Sequence, residues 1–258
     1  MARNKRIRSS TDVYHVVSRG NNKSDILLND SDKKYFRVLM KKEADKLGVN
    51  IYAYCIMTNH DHIMLKSDLK VISLFMKELN FKYAIYYNCK YGQSGHVFQG
   101  RFFSSPIETE GYLLSCIRYI HNNPVRAHIV SEIMNYPFSS AGEYIAQMAG
   151  TKQTKGYISK DIFNILYPRF KKVEDFLEFH NIFDNQEFLD IIEEKSEYDF
   201  QRVKYELKIY MNTKKIKSYK ILANVPHIRN EFVKICKQQT GLAERKIENI
   251  LKILAESA

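Results

Sequence analysis

The first part of the chain alternates between short β-branched or aromatic runs and longer segments whose apolar residues have helical spacing. Strands are predicted at residues 11–18, 51–57, 59–66 and 102–108. Helices are predicted at residues 31–47, 68–88 and 110–122. Pro124 is expected to end the third helix, because proline lacks the N–H group that the helix interior requires. The order βαββαβ predicts an α+β, ferredoxin-like fold with a four-stranded antiparallel sheet and one added helix.

From Tyr157 onward the sequence has only helical patterning. The small and polar residues at 148–156 are typical of a linker, so we expect two domains, at 1–150 and 151–258. The second domain is predicted to be an all-α extension. It ends in two short helices on either side of Thr240 and Gly241. This pair is either a helix-turn-helix that binds DNA or an ordinary helical hairpin.

The charge of the chain adds a class of partner to this picture. The 258 residues carry a formal net charge of +11, and 45% of them are apolar, which is enough for sizeable cores. Residues 1–150 hold 20 Lys and Arg against 13 Asp and Glu, residues 151–200 hold 7 against 11, and residues 201–258 hold 13 against 5. A globular protein this basic typically binds a polyanion, most often nucleic acid, although a basic surface that serves only solubility has the same composition.

Two other protein classes are not expected from the sequence. There is no run of 18 apolar residues to span a membrane, and the basic N-terminal stretch lacks the apolar segment of a secretory signal. The cysteines have neither zinc-finger nor redox-motif spacing, so we expect buried thiols in a reducing cytoplasm. They are Cys55, Cys89, Cys116 and Cys236.

The candidate chemistry begins with His60 and His62, which flank one residue at the start of the predicted third strand. Side chains alternate between the two faces of a strand, so both imidazoles should point the same way. Two imidazoles on one face can bind one divalent metal ion. The alternative is a pair of hydrogen-bonded histidines without a ligand, since so short a motif occurs often by chance.

A second candidate group lies at the end of the predicted third helix. Tyr119 and Asn123 are four residues apart, so they fall near the same helix face. A tyrosine hydroxyl is a poor nucleophile at neutral pH, but it can attack a phosphodiester that a metal ion polarises. Two histidines, an amide oxygen and a tyrosine are a coherent set for attack on a DNA phosphate. Taken alone, Tyr119 could equally be one of the core or surface residues among 18 tyrosines.

Four motifs together resemble those of the single-tyrosine HUH transposases, in particular the REP-associated branch and small insertion-sequence transposases. They are residues 13–21 (VYHVVSRGN), 57–62 (MTNHDH), 95–102 (GHVFQGRF) and 118–127 (RYIHNNPVRA). The resemblance covers about residues 10–145. It implies a metal-dependent cut of single-stranded or hairpin DNA, with Mg²⁺ or Mn²⁺, that leaves a 5′-phosphotyrosine and a free 3′-hydroxyl. Rejoining of the cut end to another strand would follow.

The resemblance also implies roles for individual residues. Tyr119 matches the nucleophile, His60 and His62 match the metal histidines, and Asn123 matches the third ligand. Asn122 is the alternative ligand, because Asn123 precedes a proline and is biased away from helical geometry. The residues expected to contact DNA are Arg19, Gln99, Arg101 and Arg126.

One departure from the family pattern is Asp61, which occupies a position that is often apolar in relatives. By alternation its carboxylate should face away from the metal, and it should need a partner.

Relatives include monomers and homodimers, so the oligomeric state stays open. The C-terminal helices are a candidate site for duplex DNA, and residues 229–250 faintly resemble a DnaA-type DNA-binding domain. Two alternative functions remain: a nucleic-acid-binding regulator without catalysis, and a replication initiator or relaxase of the same superfamily.

Overall fold

A computed structural model of the protein describes residues 6–151, 156–182, 188, 192–216 and 225–256. The chain forms two compact units, Met1–Leu189 and Asp190–Ala258. The first unit contains the strands β1 Val13–Arg19, β2 Asn50–Ile56, β3 His60–Lys66 and β4 Phe103–Pro106. Its helices are α1 Asp30–Leu47, α2 Leu69–Tyr91, α3 Glu110–Arg126, α4 Ala141–Met148, α5 Phe163–Leu166 and α6 Val173–Asn181.

The four strands form one antiparallel sheet in the order β2-β3-β1-β4. This is the arrangement that the βαββαβ order predicts, so the ferredoxin-like α+β fold is confirmed. In the central pair, His15 lies opposite Met64, Val17 opposite His62 and Arg19 opposite His60. The register therefore brings side chains of β1 and β3 together on each face of the sheet.

The helices α1 and α2 pack against each other beside the sheet. Asn29 caps α1 with its side chain, and Gly48 ends the helix with a positive φ of 65°. The buried carboxylate of Asp32 accepts hydrogen bonds from Lys90 and from the hydroxyl of Tyr91, at 2.5 and 2.7 Å. These charge-assisted bonds fix the start of α1 against the end of α2.

The helix α3 contacts β2 and β3 and carries the predicted nucleophile. It continues through Pro124 to Arg126, so the expectation that it ends before this proline is wrong. Pro124 lies in the last turn and removes only the bond to the carbonyl of Ile120, four residues earlier. Both Asn123 and Pro124 are buried in the last turns of this helix.

Residues 157–181 belong to the first compact unit, whereas the sequence pattern placed the domain boundary at residue 150. Their apolar side chains join the same core as the sheet, including Phe163, Leu166 and Phe176. Backbone and side-chain bonds also tie them to β2, from Ser159 N to Ile51 O at 2.7 Å and from Tyr52 Oη to Asp161 Oδ2 at 2.7 Å. The polar stretch after α4 is therefore not the division between the units.

The second unit contains α7 Ile192–Lys214, α8 Pro226–Thr240 and α9 Glu244–Glu256. Its core includes Leu207 from α7, Phe232 from α8 and Ile247 from α9. Gly241 ends α8 with a φ of 69°, so the predicted helix pair across a glycine turn is present. Whether that pair binds DNA stays a prediction.

No helix in the described ranges is long and apolar enough to cross a membrane. All four cysteines are free thiols. Three of them are buried as expected, but Cys89 is exposed near the end of α2.

Candidate active site

Three histidines converge on the face of the sheet that α3 covers. His60 and His62 come from β3, and His15 comes from the neighbouring β1. All three are buried, with side-chain exposure of 6%, 0% and 0% for His60, His62 and His15. The prediction that alternation places His60 and His62 on one face is confirmed, since their ring centroids lie 5.0 Å apart with perpendicular planes.

Each histidine of β3 is oriented through its Nδ1 atom. His60 Nδ1 lies 2.6 Å from Asn59 Oδ1, and His62 Nδ1 lies 3.0 Å from His15 Nε2. The rings of His15 and His62 are also stacked, with centroids 5.2 Å apart. With Nδ1 engaged by the protein, Nε2 is the atom through which each ring could bind a cation.

The environment keeps these imidazoles neutral. Burial lowers the pKa of His15 and of His60 to about 3, and Arg19 lowers that of His60 further through its positive charge. Burial also holds the pKa of His62 well below its usual value, with His60, His15 and Arg126 adding to the effect. A neutral ring is the form that can bind a metal ion.

Tyr119 reaches this cluster from α3. Its ring lies 5.4 Å from that of His62 and 5.9 Å from that of His15, edge-on in both cases. Only 5% of the residue is exposed. The sequence predicted a tyrosine downstream of the histidine pair, and the fold brings the two motifs into contact although 57 positions separate His62 from Tyr119.

Two of the four predicted DNA-contact residues border the histidines. The guanidinium of Arg126 lies 4.7 Å from the centre of the Tyr119 ring, and its charge lowers the pKa of His62. Arg19 acts in the same way on His60. Gln99 is exposed, and its backbone N–H donates to Arg19 O at 2.8 Å, so it lies beside that residue.

The fourth, Arg101, is exposed and lies near Arg6, whose pKa it lowers after the larger effect of burial. Arg6 in turn stacks over the ring of Phe102, with its guanidinium carbon 3.8 Å from the ring centre. Arg101 therefore lies beside Arg6, whereas Arg8 forms an ion pair with Asp68; Arg3 and Lys5 lie outside the described residues.

The two candidate amide ligands have different surroundings. Asn123 is buried one turn after Tyr119, and its Nδ2 donates to Tyr119 O at 3.0 Å. Asn122 Nδ2 instead donates to His180 O at 2.9 Å, which commits its amide to α6. Each amide thus donates through Nδ2, and the identity of the third ligand stays a prediction.

Asp61 lies on the opposite face of β3, as alternation predicts, and pairs with Ser18 in the register. The residue is fully buried, and neither carboxyl oxygen has a hydrogen-bond partner among the described residues. Burial raises the pKa of this carboxyl well above its usual value, although the Ser18 backbone partly opposes the shift. Asp61 is therefore no ligand of the histidine site.

Whether a divalent ion fits the histidine cluster depends on the atoms that could coordinate it. In the described part of the chain, no group of three or more His, Cys, Asp and Glu side chains has an arrangement that could hold a metal ion. The possible donors are thus two neutral imidazoles and an amide oxygen, with the remaining positions left to DNA and water. The amide oxygen is a donor that suits Mg²⁺ or Mn²⁺ bound together with a phosphate, whereas imidazole nitrogens are typical ligands of Zn²⁺, Cu²⁺, Fe²⁺ and Ni²⁺, so the set can accept a divalent ion without selecting one.

His15 is the residue of this cluster that the sequence analysis did not single out. It stands within the first motif, but its partner in β3 is fixed only by the register of the two strands. Sequence alternation does place it on the same face as Val17 and Arg19. Without the pairing of β1 and β3, nothing indicated that this face meets His62.

Comparison with known proteins gives one match to a family. Residues 9–123 match the family described as "Transposase IS200 like". No curated protein matches the chain.

Two solved structures are similar to the chain. The structure of a REP-associated tyrosine transposase bound to a REP hairpin is 18% identical with a TM-score of 0.49, and the alignment covers 62% of this chain and 94% of that one. A candidate transposase from Deinococcus radiodurans R1 is also 18% identical with a TM-score of 0.34, and the alignment covers 47% and 95% of the two chains.

The family match begins before β1 and ends at Asn123. It therefore includes the whole sheet, the two histidines of β3 and Tyr119. The strand order and the added helix agree with the fold that the four motifs imply. Residues 9–123 of the chain are therefore similar to the IS200-like transposase family.

Proposed function

We propose that the first unit cuts and rejoins single-stranded DNA through a covalent bond between Tyr119 and a 5′-phosphate. The observation that carries the proposal is the contact between Tyr119 and the histidine cluster, with ring centroids 5.4 Å apart for Tyr119 and His62. A nucleophile, two neutral imidazoles and two arginines come together on one face of the sheet. The match of residues 9–123 to the IS200-like transposase family supports the same chemistry.

His60, His62 and the amide oxygen of Asn123 would hold Mg²⁺ or Mn²⁺, which supplies Lewis-acid polarisation of a phosphate when bound. His15 fixes the tautomer of His62 in this proposal. For Nε2 of His62 to bind a cation, its proton must be on Nδ1, which then donates to His15 Nε2 at 3.0 Å. Asn59 orients His60 in a comparable way.

The reaction is a transesterification at phosphorus. The Tyr119 hydroxyl oxygen forms a bond to phosphorus while the bond between phosphorus and the 3′-oxygen breaks. The tyrosine loses its proton, and the departing 3′-oxygen gains one, so the products are a 5′-phosphotyrosine and a free 3′-hydroxyl. One phosphodiester replaces another, and the reverse reaction can rejoin a strand without ATP. A helix presents the attacking oxygen in a fixed direction, which favours in-line geometry.

The basic residues supply the DNA contacts in this proposal. Arg19 and Arg126 are close enough to the histidines to hold the phosphates on either side of the cut. Gln99 and Arg101 extend the surface along the segment after α2. The helices α8 and α9 of the second unit are proposed to bind duplex DNA, since exposed Lys234, Lys237 and Arg245 lie on them.

The test is adduct formation with end-labelled hairpin DNA that carries a single-stranded tail, in Mn²⁺ or Mg²⁺, on a denaturing gel. Wild-type protein should give a metal-dependent band that EDTA prevents, and Tyr119→Phe should give none while it binds DNA with unchanged affinity. A protein that binds DNA but forms no adduct would support the alternative of a regulator without catalysis.

A further inference from the structure

Residues outside the family-matched range 9–123 contact the nucleophile. The ring of Phe188 is stacked on that of Tyr119, with centroids 4.7 Å apart and planes 23° apart. The same ring is stacked on Tyr112, at 5.5 Å and 20°. Tyr112 and Tyr119 are seven residues apart, two turns of α3, so Phe188 lies across one face of this helix.

A second set of contacts ties α6 to α3. Arg118 Nη1 donates to Phe179 O at 3.3 Å, and its guanidinium carbon lies 4.5 Å from the centre of the Phe179 ring. Asn122 Nδ2 donates to His180 O at 2.9 Å. Arg118 and Asn122 are four residues apart, one turn of α3, and they bracket Tyr119 in sequence.

A buried histidine pair completes the contact between the two helices. His121 Nδ1 lies 3.0 Å from His180 Nε2, and His121 Nε2 lies 2.8 Å from Ser140 Oγ. His180 Nδ1 lies 2.7 Å from the carbonyl of Phe176, so this nitrogen must be the donor. Every ring nitrogen of the pair is therefore satisfied, which makes the junction a rigid one.

We propose that Phe188 is a positioning residue for Tyr119, and that α6 holds α3 for the same purpose. The inference rests on the proposed role of Tyr119 and extends it to residues that follow the family-matched range. Stacking on Phe188 restricts the swing of the tyrosine ring about its Cα–Cβ bond, which is the rotation that displaces the hydroxyl oxygen. Arg126, also 4.7 Å from the ring centre, limits the same motion.

This role matters because transfer to phosphorus needs the attacking oxygen in line with the departing one. A displacement of the reacting group by about 1 Å can lower a rate by about 10²-fold. The loss of one of several contacts to the ring should have a smaller effect, of about tenfold. DNA affinity should not change, because the phosphate contacts come from other residues.

The test compares Phe188→Ala with Phe188→Tyr in single-turnover cleavage of hairpin DNA, with DNA affinity measured separately. Phe188→Ala should cleave about tenfold more slowly at saturating DNA with an unchanged Kd, and Phe188→Tyr should restore the rate because it keeps the stacked ring. Tyr167→Ala is a matched control: it removes a surface ring that contacts Phe163 and Gln147, and it should leave the rate unchanged.

A second readout does not depend on catalysis. The chain has no tryptophan, so Phe188→Trp introduces a single tryptophan at the stacked position, which can be excited selectively over the 18 tyrosines. Its emission should shift to longer wavelength when Tyr119→Ala is added, because one stacked ring is lost and water replaces it. No shift would mean that the side chain at position 188 does not lie on Tyr119, and the proposal would be wrong.

The other outcomes separate this inference from the proposed function. An unchanged or faster rate for Phe188→Ala overturns the positioning role, and so does a weaker DNA affinity with an unchanged maximal rate, which would make Phe188 a base contact. A wild-type protein that forms no adduct overturns the proposed function, and this inference with it. Circular dichroism of each variant verifies that the fold is intact.

Discussion

Two histidine pairs in the first unit have nearly the same ring geometry. His15 and His62 are stacked with centroids 5.2 Å apart, and so are His121 and His180, again at 5.2 Å. In both pairs a ring nitrogen of one residue lies 3.0 Å from a ring nitrogen of the other. All four side chains are buried. The arrangement of the rings therefore does not distinguish a ligand site from a structural contact.

The two pairs differ in the hydrogen bonds of the ring nitrogens that do not link one histidine to the other. In the second pair, the position of each proton follows from the carbonyl of Phe176, because a carbonyl oxygen can only accept a hydrogen bond. His180 Nδ1 donates to it, His180 Nε2 accepts from His121 Nδ1, and His121 Nε2 accepts from the hydroxyl of Ser140. The chain of bonds is complete within the protein, as expected for a contact that only holds α3 in place.

In the first pair, the chain of hydrogen bonds does not end in this way at His15. His15 Nδ1 is buried without a hydrogen-bond partner among the described residues. An unmet buried donor costs about 1–3 kcal/mol, so a site that serves stability alone would gain from a partner at this position. Beside this pair lie His60, Arg126 and Tyr119. In the proposed function, the first pair serves a ligand and the second pair holds α3 in place.

The largest expected effect is the loss of cleavage when a histidine of β3 is removed. His60→Ala and His62→Ala each remove one imidazole donor, and cleavage should fall by about 10²–10³-fold, as for the loss of one group that stabilises developing charge. Mn²⁺ affinity, measured by isothermal titration calorimetry, should fall with it. His227→Ala, which removes an exposed imidazole in the second unit, is the control and should change neither quantity. Retained Mn²⁺ affinity in both β3 variants would contradict the ligand assignment.

A substitution in the second pair should lower the stability of the protein and leave metal binding unchanged. His121→Ala leaves a cavity and removes the partner of His180 Nε2 and one of the partners of Ser140 Oγ, so the free energy of unfolding should fall by about 2–4 kcal/mol. Urea denaturation measures this loss. Mn²⁺ affinity should stay at the wild-type value, since His121 does not contact the other cluster. A large loss of Mn²⁺ affinity without loss of stability would reverse the roles of the two pairs.

The smallest of the three effects is expected at His15, which acts through His62. Residues that orient a metal ligand typically contribute about 10–100-fold in metal affinity, and His15→Ala should weaken Mn²⁺ binding by this amount. His15→Gln should recover part of the loss, because the amide oxygen can still accept from His62 Nδ1. Equal affinities for wild type, His15→Ala and His15→Gln would show that His62 needs no such support.

Much of the fold followed from local pattern in the sequence. The alternation of β1 and β3 and the helical spacing of α1 and α2 are properties of neighbouring residues, and their order leaves few arrangements of the sheet. The end of α3 did not follow, since the rule for proline applies to a helix interior whereas Pro124 lies in the last turn. Nor did the unit boundary, because Phe163 and Phe176 pack on a core that lies far away in sequence.

The residues of the candidate site likewise divide into those that the sequence predicted and those that it did not. His60, His62 and Tyr119 could be predicted because they stand in short motifs whose chemistry is recognisable from residue type and spacing. His15 and Phe188 could not, because their roles depend on strand register and on a contact between residues 69 positions apart, Tyr119 and Phe188. Asn122 and Asn123 remain alternatives for the third ligand, because each amide donates through Nδ2, to His180 O and to Tyr119 O respectively.

The central claim is that Tyr119 becomes covalently attached to DNA. The most direct measurement is mass spectrometry of the protein after reaction with hairpin DNA and Mn²⁺, followed by nuclease and protease digestion to locate the nucleotide. The account predicts a nucleotide mass on the peptide that contains Tyr119 and on no other of the 18 tyrosines. A modified peptide without Tyr119, or an adduct that persists in Tyr119→Phe, would contradict it.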